Sequence, residues 1–167
     1  QSLFFGTTTG MSIYSIATPD NPAFVGLNSH FLGCDPVVVQ GDYAYVTVKG
    51  GTDCRSQWPS QLEVVDISNM QQPRTLKTYP MDDPNGLGVD GNTLFICDGK
   101  AGLKVYDIAD PMKVDKNFLG RHDMHAYDVI PFRNTLMVIG NDGLYQYDYA
   151  NPRDLKLLSV INVKKSE

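Results

Sequence analysis

Glutamate is almost missing from this sequence. All but two of its 19 acidic residues are Asp, the exceptions being Glu63 and Glu167. Glu favours helix interiors, whereas the short Asp carboxylate captures backbone N–H groups in turns. Long helical stretches are lacking too. Gly (15) and Pro (10) punctuate the chain so often that few long segments escape both. The two longest, 60–72 and 153–167, show no i, i+3, i+4, i+7 apolar stripe. Positive charge is in deficit, with 14 Lys and Arg against 19 acidic residues and a formal net charge of −5. No nucleic-acid partner is therefore expected, because phosphate neutralisation needs a basic surface. No apolar run approaches the ~18 residues of a membrane span, so no transmembrane segment is expected. What these absences leave is an all-β globular chain.

The chain repeats itself. Leu62-Glu63-Val64-Val65-Asp66, Leu103-Lys104-Val105-Tyr106-Asp107 and Leu144-Tyr145-Gln146-Tyr147-Asp148 follow one another at offsets of 41 residues. Met11-Ser12-Ile13-Tyr14-Ser15 is a degenerate earlier copy, set further back by extra residues between Lys49 and Ser60. Other features recur in phase. Tyr43–Val46, Thr93–Ile96 and Thr135–Val138 each follow a turn, at Gly41-Asp42, Gly91-Asn92 and Arg133-Asn134. A short apolar run precedes each turn, and Ile67-Ser68-Asn69, Ile108-Ala109-Asp110-Pro111 and Tyr149-Ala150-Asn151-Pro152 follow each motif Asp. Each unit thus predicts four short antiparallel strands, the signature of a β-propeller blade. The blades fall at 2–33, 34–83, 84–126 and 127–167, the first lacking its inner strand, in one partial propeller domain of about 3.75 blades. Alternation along the strands predicts a core that includes Val37, Val39, Tyr45, Val64, Leu94, Ile96, Val105, Leu136 and Val138.

The Leu-x-Val-x-Asp strand and the turns around it resemble the LVIVD-repeat family of bacterial and archaeal propeller proteins. The resemblance covers essentially the whole chain, with Leu62–Asp66 the best match. It implies a propeller fold and an exported protein at the cell surface or in the periplasm. It implies no particular activity, ligand or cofactor. Closed rings have more blades than this. The expected partner is accordingly another protein chain, or the remainder of a longer propeller.

Chemistry is sparse. Gly86-Leu87-Gly88-Val89-Asp90-Gly91 spells G-x-G-x-x-G, but a hairpin turn and a strand follow it where a dinucleotide site needs a helix. Asp66, Asp107 and Asp148 are one position delivered three times, which suits strand-end turns better than a catalytic pair. Irregular positions carry more information. In a propeller the fourth-to-first and second-to-third strand connections share one end, around the channel mouth. This sequence places His30, Asp35, Asp53, Arg55, Trp58, Asp82, Asp83, Asp98, Lys100, Arg121, His122, Asp123, His125 and Asp142 there, with all three Cys. His122 and His125 are weak metal candidates, since no C-x-x-C or other zinc spacing supports them. Cys34 and Cys54 are close enough in the repeat for a disulfide, although free thiols are the simpler reading. Cys97 reads as a small core residue.

The extra segment 50–59 carries Arg55 and the sole Trp, Trp58. Arg and Trp on a loop the blade does not need suit recognition, while the plainer alternative has Trp58 covering its own blade. The expected function is a non-enzymatic binding scaffold with a surface ligand, its site drawn from His30, Arg55, Trp58, Arg121 and His125. The competing expectation is a metal-assisted hydrolase or lyase at the channel mouth. No cofactor is expected.

Overall fold

A computed structural model describes residues 1–7, 9–29, 36–51 and 59–163. Among these residues the strands form four antiparallel meanders. The first sheet holds β1 (Ser2–Thr7), β2 (Gly10–Ser15) and β3 (Ala23–Ser29). The second holds β4 (Val37–Gln40), β5 (Tyr43–Val48), β6 (Gln61–Asp66) and β7 (Arg74–Pro80). The third holds β8 (Leu87–Asp90), β9 (Thr93–Cys97), β10 (Leu103–Asp107) and β11 (Phe118–His122). The fourth holds β12 (Ala126–Phe132), β13 (Thr135–Gly140), β14 (Gly143–Asp148) and β15 (Lys156–Asn162). The chain divides into two compact units, residues 1–81 and 82–167. Each unit contains two sheets.

The turns explain why the sequence repeats. Asp66, Asp107 and Asp148 each end the third strand of a sheet and accept the backbone N–H two residues on, from Ser68 (2.9 Å), Ala109 (2.9 Å) and Ala150 (2.8 Å). Asn69, Asp110 and Asn151 repeat the arrangement three residues later, accepting from Gln71, Met112 and Arg153. Two successive Asx turns therefore reverse the chain between the third and fourth strands. In the degenerate first copy the Ser15 hydroxyl takes the place of the Asp and accepts from Ala17 N–H at 3.4 Å. The residue after each motif Asp donates its N–H to the hairpin turn between the first two strands: Ile67 to Asp42, Ile108 to Asn92, Tyr149 to Asn134. The Arg133-Asn134 hairpin holds both residues at positive φ, +49° and +62°, as a type I′ turn requires.

Each sheet also carries a register shift between its last two strands, at Ile13/Tyr14, Val64/Val65, Val105/Tyr106 and Gln146/Tyr147. Such bulges increase the local twist and bend the outer strand. They leave no mark in the hydrophobic pattern. A 3-10 turn over Pro111–Lys116, with Asp110 as its N-cap, interrupts the approach to β11. The sequence reading has only a turn and then a strand here; Asp followed by Pro is the helix-start signal it passed over.

Sheets pack face to face within each unit. In residues 1–81, Met11 and Ile13 of the first sheet bury against Ala44, Val46, Val48, Val65 and Ile67 of the second. In residues 82–167, Phe95, Cys97, Leu103 and Val105 of the third sheet bury against Ala126, Val129, Leu136, Val138, Tyr149 and Leu155 of the fourth. Seven of the expected core residues are buried; Val37 and Val39, on the short inner strand, are half-buried and pack at the margin of the first cluster. Simple alternation understates the middle strands: β9 is buried at Leu94, Phe95, Ile96 and Cys97 alike. Strands covered on both faces read as continuous apolar runs.

Tyr149 ties the third and fourth sheets together. Its hydroxyl donates to Asp90 Oδ2 at 2.7 Å, and its ring meets Phe95 edge-on at 5.2 Å between centroids. Burial and then the Asp90 carboxylate push the phenol up from the ordinary 10.0 to about 12. The unfolded chain therefore releases this proton first. The stability tied to Tyr149 is complete below pH 10 and disappears as pH rises toward about 12. Urea unfolding between pH 9 and 12 should show that loss, and Tyr149→Phe should flatten the profile; an unchanged profile would remove Tyr149 as its cause.

Candidate functional site

Four connections meet at one end of the second unit: 82–86, 98–102, 123–125 and 141–142. Strands in a meander alternate in direction, so these connections emerge together, and hydrogen bonds join them. Asn85 N–H donates to the Cys97 carbonyl, Gly86 N–H to Tyr127, Ala126 N–H to Gly99 and Asn141 N–H to His125.

Asp98 anchors the first two connections. It is fully buried and accepts the N–H of Asp82 (3.1 Å) and of Asp83 (2.6 Å) together with the Lys104 ammonium (2.5 Å). Lys104 reaches the exposed Asp82 carboxylate as well, at 2.9 Å. Burial opposes the Lys104 charge, but its bonds to Asp98 and Asp82 prevail and its pKa is raised; the same ammonium lowers that of Asp82. A carboxylate so fully satisfied holds a loop in place and has no lone pair aimed at a ligand.

The second pair of connections presents a different surface. The His125 and Tyr127 rings lie 4.7 Å apart at 39°, and Tyr127 Oη donates to Asn141 Oδ1 at 3.2 Å. Tyr127 is 40% exposed. On the same connections, Tyr145 Oη donates to Asp142 Oδ1 at 2.8 Å, and the exposed Asp128 carboxylate accepts Val129 N–H at 2.9 Å. Sequence reading found His125 and Asp142 here but missed Tyr127, Asp128, Asn141 and Tyr145. One signal was available: Tyr127-Asp128 stands where the preceding blade has Asn85-Gly86.

The remaining expected residues disperse. His122 is half-buried beside the Tyr147 ring at 5.8 Å, and burial lowers its pKa toward the neutral imidazole. Arg121 pairs with Asp123 on the exposed β11 edge, opposite Lys104. Such a pair contributes little to stability. Among the described residues no three His, Cys, Asp or Glu side chains converge as a metal site would. His30, Cys34, Cys54, Arg55 and Trp58 lie outside the described residues. Cys97 is buried in the sheet interface, which pushes its thiol pKa well up and makes it an unreactive core group.

The glycine fingerprint has a packing cause. A Cβ on Gly88 would come within 2.5 Å of Pro131 Cδ, and one on Gly86 within 2.0 Å of Asp128 Oδ1. These glycines let the inner strands β8 and β12 approach. At the Asx-turn end of the second sheet, Asp66, Ser68, Asn69, Gln72 and Arg74 line a cleft of about 230 Å3. Bonds from Ser68 and then Arg74 hold the Asp66 carboxyl at about 2, so the motif carboxylate is occupied by its own turn.

The comparisons agree with this geometry. The model of the LVIVD repeat matches residues 34–80 and 83–114. These two stretches are LVIVD repeats. Those repeats are associated with β-propeller folds, and solved structures of the same kind resemble it along nearly its whole length. One, from a nidogen/laminin complex, gives a TM-score of 0.64 at 14% identity, covering 97% of this chain and 59% of that one. A protein of unknown function from Desulfotomaculum acetoxidans gives 0.67 at 10% identity, covering 97% and 52%. The N-terminal domain of Nup159 gives 0.63 at 13% identity, covering 97% and 41%. The chain thus spans between two fifths and three fifths of these propeller-like chains. The search of curated proteins gives no match. No helix among the described residues is long and apolar enough to cross a membrane.

The anchoring role of Asp98 has a measurable consequence. Lys104→Met strands a buried carboxylate and should cost about 2–4 kcal/mol in urea unfolding. Adding Asp98→Asn should recover part of that loss. A change below about 0.5 kcal/mol for Lys104→Met would contradict the anchor.

Proposed function

We propose that this chain is a non-catalytic binding scaffold, and that its ligand meets the loop end of the fourth sheet. The observation that carries this reading is the ring pair of exposed Tyr127 and half-buried His125, held by the Tyr127–Asn141 hydrogen bond, with the exposed Asp128 and Asp142 next in sequence to Tyr127 and Asn141. Aromatic faces next to carboxylates suit a cationic side chain or a ring-bearing basic peptide. The sheets beneath supply rigidity, so the surface is preorganised and loses little entropy on binding. The insertion with Arg55 and Trp58, together with His30, is proposed as a second recognition element of the first unit. Export to the cell surface or periplasm belongs to the same proposal and rests on the family resemblance.

The test is an amide-resolved titration of the isotope-labelled chain with short Arg- and Lys-containing aromatic peptides. Binding should shift the amides of 125–128 and 141–145. Tyr127→Ala should weaken it at least tenfold, which is about 1.4 kcal/mol, at an unchanged melting temperature. Shifts that fall elsewhere, shifts that survive Tyr127→Ala, or no binding across the peptide set would each overturn the proposal.

A further inference from the structure

The turn after the motif Asp is built alike in the second, third and fourth sheets, yet its side chains differ. In the third sheet the 3-10 turn Pro111–Lys116 takes up the stretch, and Lys113 Nζ pairs with Asp110 at 2.7 Å. In the fourth, Ala150, Asp154 and Lys156 stand where the second sheet has Ser68, Gln72 and Arg74. Those three residues of the second sheet, with Asp66 and Asn69, line the cleft of about 230 Å3. The first sheet holds this turn in place. A Cβ on Gly26 would fall 2.0 Å from the Met70 carbonyl oxygen, so the strand and the turn are in close contact. Buried Asn28 donates to the Pro73 carbonyl at 3.5 Å and accepts from the Thr75 hydroxyl at 3.4 Å.

Charge in the cleft is cancelled from within. Asp66 Oδ1 accepts the Ser68 N–H at 2.9 Å and the Ser68 hydroxyl at 2.6 Å, while Oδ2 accepts from Arg74 Nη2 at 3.0 Å. A cation would meet a carboxylate whose two oxygens are engaged. An anion would sit beside that carboxylate and compete with it for Arg74. Neutral hydrogen bonding is what stays open. Among the described residues nothing bonds Asn69 Nδ2, the Gln72 side-chain amide or the other guanidinium N–H groups of Arg74. The carboxamides offer donors and acceptors, and the guanidinium a planar fork of donors. Adjacent hydroxyl groups, which both donate and accept, match that set.

We infer that the cleft is a sugar site, taking one neutral pyranose ring whose neighbouring hydroxyls bond to Asn69, Gln72 and Arg74, with Asp66 fixing the guanidinium. The volume agrees, because it falls below the ~300 Å3 at which pockets for drug-sized ligands begin. No aromatic side chain lines the cleft. Binding therefore rests on hydrogen bonds exchanged with water and is weak for a single ring. The site lies in the first unit and uses none of the residues of the His125–Tyr127 surface, so the two stand or fall separately.

Amide-resolved titration of the isotope-labelled chain with methyl glucoside, methyl galactoside, methyl mannoside and N-acetylglucosamine tests the inference. At least one should give saturable shifts, in the millimolar range, at the amides of 66–74 and at the side-chain NH2 groups of Asn69 and Gln72. Gln72→Ala and Arg74→Ala should each weaken that binding by about tenfold. Both positions are exposed, and a surface pair such as Arg74–Asp66 contributes little to stability, so the melting temperature should hold. Gln71→Ala, on the same turn but outside the cleft lining, should bind as the wild type does. Acetate and phosphate at matched ionic strength should give no saturable shifts there. Saturation by acetate or phosphate, sugar shifts that survive Gln72→Ala, or no saturable shift with any of the four sugars would each overturn it.

Discussion

A β-sheet whose middle strands are apolar on both sides has no stable existence by itself. β9 shows the constraint at its plainest, with four successive buried residues from Leu94 to Cys97. Every such strand needs a neighbouring sheet on each face, and burying each Leu, Ile, Val or Phe contributes roughly 1.5–3 kcal/mol once the cover is present. Face-to-face stacking of sheets follows directly. So do the features that make stacking regular: Asx turns at a constant position, bulges before the outer strand, and glycines where β8 and β12 converge.

The motif Asp illustrates how a scaffold position can resemble a functional one. Asp66, Asp107 and Asp148 are exposed enough to suggest chemistry, and Asp66 even borders a cleft. Each carboxylate is nevertheless committed to its own turn. Function is better sought where the repeat is broken. Tyr127-Asp128 replaces Asn85-Gly86, and Tyr149 replaces the Ile of earlier blades. The first change sets an exposed Tyr127 ring on half-buried His125, the second makes an inter-sheet hydrogen bond to Asp90.

Strand order, turn positions and most of the core were legible because a 41-residue period repeats the local signals of pattern and turn chemistry in each copy. The bulges were not, because a one-residue register shift leaves composition unchanged. The Asp98–Lys104 anchor was half visible: Asp98 stood at the loop end, but Lys104 read only as a strand residue of the repeat, and three-dimensional proximity shows the carboxylate gripping two backbone N–H groups and that ammonium. The grouping of Arg121, His122 and His125 separated for a related reason. Consecutive residues on a strand point to opposite faces, so closeness in sequence sent Arg121 to the outer edge and His122 toward Tyr147.

Mutual cover between sheets is the central claim, and native-state amide hydrogen exchange tests it most directly. Amides of β9, β10 and β13, which lie within stacked faces, should exchange last and together, by global unfolding. Those of β15, exposed along its whole length, should exchange earlier through local opening. Protection of β15 equal to that of β9, or early exchange of β9 and β10, would contradict the account.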